Sequence, residues 1–207
     1  KQLFIAYRRK QRGEGVDFTK EENESTMINQ PPGSPHLSLL SFYGAFHGRT
    51  LGALSTTHSK AIHKLDIPAF DWPIARFPLY KYPLEENKRE NEQEDKRCLA
   101  DVEDLIDKYN RKGHNVAGII IEPIQSEGGD HEASPEFFQG LQKIAKRHGA
   151  GLLLDEVQTG CGATGKMWCH EHFNLDSPPD IVTFSKKMLL GGFYHSEEMR
   201  PHQSYRV

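Results

Sequence analysis

The chain has 207 residues, 36% of them hydrophobic, and a formal net charge of −3 at pH 7. This length supports one sizeable hydrophobic core, and the nearly balanced charge gives no indication of a nucleic-acid or membrane-surface partner. No apolar run approaches the roughly 20 residues of a membrane span, and the three cysteines form no even framework, so we expect a soluble protein from a reducing compartment.

The first residues have the pattern of a short helix. Apolar side chains recur there at helical spacing, namely Leu3, Phe4 and Tyr7. Gly13 ends the pattern, and the polar residues 13–36 predict a loop with room for a short helical turn over Glu21–Ser25. The chain begins without Met and inside the predicted helix, so we expect a fragment or a truncated product of a longer protein.

A predicted strand then leads into a segment flanked by glycines. Leu37–Phe42 is apolar and of strand length, and Gly44-Ala45-Phe46-His47-Gly48-Arg49-Thr50 follows it. Glycines on both sides of Phe46 and His47 let the backbone approach a flat ligand closely. Phe46 can therefore stack on a cofactor ring or fill the core within a turn, and the residues alone leave both interpretations open.

Residues 51–92 are predicted to form an extended loop held by aromatic packing, because repeated prolines exclude regular interior structure. The prolines are Pro68, Pro73, Pro78 and Pro83, and the aromatic residues are Phe70, Trp72, Phe77, Tyr80 and Tyr82. Loops of this length are usually functional, often through subunit contacts. The charged run Glu85–Arg97 is interpreted as a solvated surface rather than a binding patch.

An amphipathic helix and a buried strand come next. Apolar residues at i, i+3 and i+4 spacing indicate a helix that ends before Gly113; they are Leu99, Val102, Leu105, Ile106 and Tyr109. Val116–Ile121 is then a buried strand, and Glu122-Pro123-Ile124-Gln125-Ser126-Glu127-Gly128-Gly129 follows it. The residues alone allow Glu127 to cap or solvate this loop.

A second helix and two further strands complete the pattern. The helix begins at Ser134, where an N-cap hydroxyl precedes Pro135 and an acidic first turn. Its apolar stripe consists of Phe137, Leu141, Ile144 and Ala145. The apolar runs Leu152–Leu154 and Ile181–Phe184 follow as strands. This order of strands and helices predicts βαβ crossovers in a mostly parallel sheet, and therefore an α/β fold.

Each of the last two strands is followed by ionisable residues. Asp155 and Glu156 come after the first, and Lys186 and Lys187 after the second. Because parallel strands present their carboxyl ends at one edge of a sheet, a carboxylate and an amine are predicted at the same rim. A desolvated lysine can condense with an aldehyde, and an aspartate can keep a pyridine nitrogen protonated. The pair therefore suggests Schiff-base chemistry with pyridoxal 5'-phosphate (PLP).

Two other kinds of site are set aside. The glycine-rich stretch Thr159–Gly165 does not match a phosphate-binding loop, because Met167 stands where that loop needs a Ser or Thr after Lys166. A metal site would have to use Cys161, Cys169, His170 and His172. These residues lack the spacing of known metal sites, so we expect them to be structural and predict no metal.

Four sequence segments together resemble the class III (ω-amino acid) PLP aminotransferases. They are F-H-G-R-T at Phe46, E-P-I-Q-S-E-G-G at Glu122, D-E-V-Q-T-G at Asp155 and D-I-V-T-F-S-K at Asp180. The resemblance covers nearly the whole chain and is far more specific than any single motif. It implies the large domain of a fold-type I PLP-dependent transferase, with a mostly parallel sheet flanked by helices. Residues 1–207 would be an incomplete part of that domain, without its N- and C-terminal parts.

The resemblance also assigns the cofactor site. Successive strand residues point to opposite faces, so only one of Lys186 and Lys187 can enter the pocket from a regular strand. The family pattern places the Schiff-base lysine directly after a small residue, which selects Lys186 after Ser185. It further implies that Asp155 pairs with the pyridine nitrogen and that Gln158 bonds the phenolic oxygen.

The remaining site residues are implied in the same way. Phe46 is expected to stack on the pyridine ring, and His47 and Ser185 to contribute to cofactor binding. Arg49 is expected to bind the substrate carboxylate, because its planar guanidinium meets a carboxylate with two hydrogen bonds. The substrate pocket is also expected to include Glu122 and Glu127.

The reaction implied by the resemblance transfers the amino group of 4-aminobutyrate to 2-oxoglutarate and gives succinic semialdehyde and glutamate. The combination of D-E-V-Q-T-G-x-G-x-T-G-K and S-E-G-G favours this branch of the family over ornithine aminotransferases and glutamate semialdehyde aminomutases. Members of this branch are homodimers of the mitochondrial matrix. The rival interpretation is a truncated, non-catalytic product that survives only as a subunit partner or fragment.

Overall fold

The computed structural model describes residues 1–203, 205 and 206, so positions 204 and 207 of the predicted domain lie outside the described residues. The strands are β1 (Leu37–Phe42), β2 (Ile74–Ala75), β3 (Asn115–Ile121), β4 (Ile124–Gln125), β5 (His131–Glu132), β6 (Gly151–Asp155), β7 (Ile181–Phe184) and β8 (Gly192–His195). The α-helices are α1 (Gln2–Arg12), α2 (Lys20–Thr26), α3 (Leu51–Ser55), α4 (Lys88–Arg111) and α5 (Pro135–Arg147). Short 3₁₀ helices lie at Ala61–His63, Cys169–His172, Lys186–Met188 and Glu197–Met199.

Six strands form one sheet in the order β2-β1-β3-β6-β7-β8. All neighbouring pairs are parallel except β7 and β8, which are antiparallel. The register pairs Gly118 with Gly151 across β3 and β6, and Asp155 with Thr183 across β6 and β7. The prediction of an α/β fold with a mostly parallel sheet is therefore confirmed.

Alternating side chains of the strands cover the two faces of this sheet. Leu152 and Leu154 of β6 belong to the large core formed with α4 and α5. Leu153, between them, packs in a smaller cluster with Leu3 of α1 and Ile181 of β7. Helices on both faces explain why the central strands read as continuous apolar runs.

Sequence reasoning placed the regular elements of the central sheet well. β1 and β7 have the predicted bounds, and α1 ends before Gly13 as expected. The helical turn predicted over Glu21–Ser25 is part of α2. Ser134 caps α5, because its side-chain oxygen accepts a hydrogen bond from the Phe137 amide at 3.0 Å. None of the described helices is long and apolar enough to cross a membrane.

The prediction of an irregular loop over residues 51–92 is wrong in part. The segment contains α3, a 3₁₀ turn and β2, and its last residues already belong to α4. A two-residue strand such as β2 is decided by the neighbouring β1, with which Ile74 and Ala75 pair in parallel. Local sequence carries no signal for such a short pairing.

The charged run Glu85–Arg97, predicted to be a solvated surface, belongs largely to α4, which starts at Lys88 rather than at the first apolar residues. One side of this helical stretch is buried, and the buried residues are Asn91, Asp95 and Cys98. Asp95 accepts hydrogen bonds from Tyr80 Oη and from Ser134 Oγ. The buried side of the helix is held by polar contacts, which a search for apolar periodicity misses.

Candidate active site

Four neighbouring parallel strands deliver the candidate residues to one edge of the sheet. β1 leads to Phe46, β3 to Glu122, β6 ends at Asp155 and β7 leads to Lys186. Open parallel sheets bind ligands outside the carboxyl ends of their strands. This edge is therefore the part of the fold best placed to carry a site.

A cavity of about 110 Å³ lies at this edge. Its walls are formed by Phe46, His47, Gly48, Glu122, Ser126, Asp155, Val157, Gln158 and Lys186. Six of the nine residues predicted for the site thus line one cavity. Pockets that enclose a whole small ligand usually measure about 300 Å³ or more, so these residues form only part of an enclosing wall.

Asp155 is buried and held as an anion. Its Oδ2 accepts a hydrogen bond from His47 Nδ1 at 2.8 Å, and its Oδ1 accepts from Thr183 Oγ1 at 3.0 Å and from the Val157 amide at 3.2 Å. Burial by itself raises the pKa of Asp155, but the three donors outweigh that effect and hold the pKa below its usual value. The site therefore contains a fixed, buried negative charge.

The ring of His47 is oriented by this contact. An ionised carboxylate can only accept, so the His47 Nδ1 atom carries the proton. Within the described part of the chain, His47 Nε2 is a buried atom without a hydrogen-bond partner. The buried imidazole in turn fixes the direction of the Asp155 carboxylate. Hydrogen-bond partners behind the residues that contact a ligand or metal commonly have this role.

Glu122 is a second carboxyl group of the cavity and is only 4% exposed. Its Oε1 accepts a hydrogen bond from the Phe46 amide at 2.8 Å. Burial is the main cause that raises the pKa of Glu122 to about 7, and the charge of Asp155 adds to the effect. The sequence predicted Glu122 as a substrate contact, whereas here one of its oxygens is already occupied by the loop after β1.

Lys186 does not lie on a strand. β7 ends at Phe184, and Lys186 begins a 3₁₀ turn with a left-handed backbone, φ 50°. The argument that strand alternation separates Lys186 from Lys187 is therefore wrong, because neither residue has strand geometry. Lys186 lines the cavity, and Lys187 is not among the residues that do. A left-handed conformation is unfavourable for a residue with a Cβ atom and is often found at functional sites.

Phe46 and Gln158 line the cavity from opposite elements of its wall. The Phe46 ring is partly buried and meets the His63 ring edge to face, with 5.3 Å between the ring centroids. Gln158 is exposed and follows β6 through a turn. Both side chains line the cavity and can contact a ligand there.

Three predicted residues are not part of the cavity wall. Arg49 is exposed, and Ser185 is partly buried at the end of β7. Glu127 is exposed and forms an ion pair with Lys60, with 2.9 Å between Oε2 and Nζ. The Lys60 side chain is the main cause that lowers the pKa of Glu127. These residues surround the site but do not enter it in this conformation.

Sequence reasoning missed the role of Glu156. This side chain is fully buried and accepts hydrogen bonds from the amides of Cys169 and His170, from His170 Nδ1 and from Thr159 Oγ1. It fixes the turn after Asp155 against the 3₁₀ helix at Cys169–His172. The two adjacent acidic residues at the end of a buried strand could have indicated this role. Only one of them can point to the cavity, so the other must be bound inside the fold.

Among the described residues, no group of three or more His, Cys, Asp or Glu side chains is arranged to hold a metal ion. Cys169 is buried in the large core, and His170 binds Glu156. These contacts give both residues structural roles.

Comparison with known proteins gives a consistent result. The family model of the class III aminotransferases matches residues 6–207. The chain is 63% identical over 207 residues to the mitochondrial 4-aminobutyrate aminotransferases of Sus scrofa and Homo sapiens. It is 62% identical over 206 residues to the 4-aminobutyrate aminotransferase of Dictyostelium discoideum. All of this chain is covered in these matches, which span 41% of the length of each relative.

Solved structures show the same relationship at lower identity. A lysine aminotransferase from M. tuberculosis in the internal aldimine form is 31% identical, with a TM-score of 0.73 over 86% of this chain and 39% of its own. An (S)-enantioselective omega-transaminase from Thermomicrobium roseum is 27% identical, with a TM-score of 0.67 over 96% of this chain and 47% of its own.

Proposed function

Because the chain belongs to the class III aminotransferase family, we propose that it forms the cofactor-binding part of a PLP-dependent transaminase. The observation that carries the proposal is the single cavity that contains the anion of Asp155, the amine of Lys186 and the ring of Phe46. An amine, a buried anion and an aromatic ring are what an aromatic aldehyde cofactor with a basic ring nitrogen requires.

The residues of the cavity fit this cofactor. Lys186 would hold PLP through its aldehyde, Asp155 would hold the protonated ring nitrogen, and Phe46 would pack on the ring. PLP, when bound, supplies a ring that withdraws electrons from the carbon next to the substrate amine. The buried His47 ring fixes the direction of the Asp155 carboxylate through a 2.8 Å hydrogen bond. Gln158 and Ser185 are proposed to bond the cofactor from the mouth of the cavity.

The chain's own groups would then move the proton. Lys186 is exposed and follows the end of a strand, so its flexible side chain can bind the cofactor and can also carry a proton beside it. Asp155 keeps its charge throughout, because three hydrogen bonds stabilise the anion. A fixed charge that needs no rearrangement during the reaction is the kind of group that stabilises charged intermediates best.

We propose 4-aminobutyrate and a 2-oxo acid, 2-oxoglutarate, as the substrates. The support is the 57–63% identity to proteins named 4-aminobutyrate aminotransferase, compared with 31% to the lysine aminotransferase. Arg49 is proposed to bind the substrate carboxylate, and Glu127 to form part of the substrate pocket. Both are exposed next to the cavity, so a modest movement of side chains would be needed.

We also propose that the whole protein is a homodimer of the mitochondrial matrix. Several mammalian relatives are named mitochondrial. The segment between α3 and α4 exposes large apolar side chains, as expected for a surface that a second subunit covers. These side chains are Ile62, Leu65, Ile67, Phe70, Leu79 and Tyr82.

The first test is covalent labelling of the chain. The purified protein is incubated with PLP and reduced with borohydride, and the pyridoxyl-modified peptide is located by mass spectrometry. We expect selective modification of Lys186, loss of that modification in Lys186→Ala, and at least a tenfold weaker PLP affinity in Asp155→Ala, because one buried charge–charge contact is worth more than about 1.4 kcal/mol.

The adjacent lysine provides the matched control. Lys187→Ala should label like the unchanged chain, because Lys187 does not line the cavity. Labelling spread over many lysines, or none at all, would contradict the cofactor site. Substrate choice is then tested with the whole protein, by comparing amino transfer from 4-aminobutyrate, ornithine and lysine.

A further inference from the structure

Two carboxyl groups share the cavity but are held in different ways. Asp155 receives three hydrogen bonds, from His47 Nδ1, the Val157 amide and Thr183 Oγ1. Glu122 receives fewer, namely a hydrogen bond from the Phe46 amide at 2.8 Å and a weaker contact from the Ser126 backbone, and both come from main-chain groups. Hydrogen bonds from donors stabilise the ionised form of a carboxyl group, and burial without them stabilises the protonated form. The surroundings therefore favour the ionised form of Asp155 and the protonated form of Glu122.

Both carboxyl groups are nearly removed from solvent, with Asp155 8% and Glu122 4% exposed. Two negative charges in one small cavity repel strongly because little water screens them. A pair of carboxyl groups in this situation keeps one proton, and the group with fewer donors holds it. Here that group is Glu122.

We propose that Glu122 is a second acid of this site, which holds its proton up to near-neutral pH and so leaves Asp155 as the buried anion that faces the cavity. The inference concerns the chain's own residues, and it rests on the proposed function only for the identity of the ligand. Glu122 is therefore a positioning residue: one oxygen holds the Phe46 amide, and the proton keeps the cavity from carrying a double negative charge.

The consequence is a weaker repulsion of anionic ligands than two ionised carboxyl groups would cause. A protonated carboxyl group can donate a hydrogen bond to a ligand, whereas an ionised one can only accept. Amino acids, 2-oxo acids and phosphorylated cofactors all carry negative charge, and a second anion in the cavity would repel them. The proton on Glu122 thus allows the cavity to hold one fixed charge for the cofactor and still accept such ligands.

The charged and titratable groups around Glu122 come from each neighbouring element. His47 lies on the loop after β1, Asp155 at the end of β6, and Lys186 on the turn after β7. The charge of Asp155 favours protonation of Glu122, and His47 opposes it less strongly than burial supports it. Removing the Asp155 charge should therefore make Glu122 easier to ionise.

The direct test detects the proton without any ligand. Difference infrared spectra between the unchanged chain and Glu122→Gln should contain a carboxylic acid C=O band at pH 6, which converts to a carboxylate with a midpoint near pH 7. The subtraction removes the contributions of Asp95 and Asp180, whose pKa values burial also raises. In Asp155→Asn the midpoint should move to lower pH by at least half a unit.

Glu127→Gln is the matched control. It removes a glutamate five positions further along the chain, beyond β4, and one that is exposed and paired with Lys60. Its difference spectrum should show only a carboxylate at pH 6. A carboxylate signal for Glu122 at pH 6, or a midpoint that Asp155→Asn leaves unchanged, would overturn the proposal.

Stability provides a second measurement. The pKa of Glu122 is raised on folding, so its favourable contribution is fully present below pH 4.5 and is lost as the pH rises through about 7. The midpoint temperature of the unchanged chain should fall relative to that of Glu122→Gln over this interval. Equal pH profiles would contradict the proposal.

Measurements of PLP binding as a function of pH distinguish this inference from the proposed function. With the unchanged chain, PLP affinity above pH 7 should fall relative to that of Glu122→Gln, which remains neutral. Failure of PLP to bind at any pH would overturn the proposed function but leave the infrared result standing. Normal PLP binding with identical pH profiles in both proteins would overturn the role of Glu122 alone.

Discussion

At the scale of single residues, adjacent acidic side chains in this protein have different surroundings and different roles. Asp155 faces the cavity and binds His47, whereas Glu156 is turned into the fold and binds Cys169 and His170. Both anions are stabilised by several donors, which outweigh the cost of burial. The residue types predict acidic side chains at this rim of the sheet. Only the hydrogen-bond donors around each side chain decide which acid faces the cavity and which one stabilises the fold.

Glu156→Gln tests the structural half of this assignment. The amide would place two hydrogens where the carboxylate now accepts from four donors, so we expect a loss of about 2–4 kcal/mol in the free energy of unfolding. Urea unfolding followed by circular dichroism measures it. Glu127→Gln, which removes only an exposed ion pair, should change stability far less, because solvent screens such pairs. Equal effects of the two substitutions would contradict the anchoring role of Glu156.

At the scale of elements, the site depends on two loops that touch through their backbones. A Cβ atom added at Gly128, in the loop between β4 and β5, would lie 2.2 Å from the carbonyl oxygen of Gly44, in the loop after β1. Real Cβ atoms do not approach a backbone oxygen this closely, so the loops would have to separate. The glycine thus sets how near Phe46 and Glu122 can come to each other.

Gly128→Ala should therefore destabilise the protein by about 1–3 kcal/mol, the usual cost of overpacking. It should also weaken PLP binding, because the cavity walls move apart. The control is Gly52→Ala within α3, where an added Cβ meets no atom within 4 Å. There alanine should stabilise the helix by about 0.5–1 kcal/mol. Thermal unfolding of both variants gives the comparison, and a harmless Gly128→Ala would show that the loops are free to shift.

Secondary structure was predictable where the sequence pattern of an element depends on that element alone. The cap of α5 and the apolar strands β1 and β7 carry their own signals, so their bounds were right. The first half of α4 was missed, because its buried side contains Asn91 and Asp95 rather than apolar residues. Those polar side chains are stable there only through contacts with other segments, such as the Tyr80 hydroxyl.

At the scale of the whole molecule, apolar surface is unevenly distributed. In the segment between α3 and α4, Ile62 is 76% exposed and Leu65 is 63% exposed. The Lys60–Glu127 pair and the His63–Phe46 contact connect the same segment to the cavity. A partner that covers this segment would also shield the mouth of the site.

We expect the protein to associate with itself through this segment. Ile62→Ser combined with Leu65→Ser should weaken association at least about tenfold, since burial of each apolar side chain contributes about 1.5–3 kcal/mol. Sedimentation equilibrium measures the effect. The control is Met27→Ser with Ile28→Ser, which removes two apolar side chains of slightly greater exposure after α2. Equal weakening in both double variants would place the contact elsewhere.

The sequence by itself determined the family, the parallel strands and the identities of the residues at their ends, because periodicity, caps and motif spacing are local properties of the chain. Tertiary structure alone decided how those residues act. The His47 donor to Asp155, the Phe46 donor to Glu122 and the turn that carries Lys186 come from segments far apart in sequence. Charge state and side-chain direction depend on these neighbours in space, and the order of residues does not specify them.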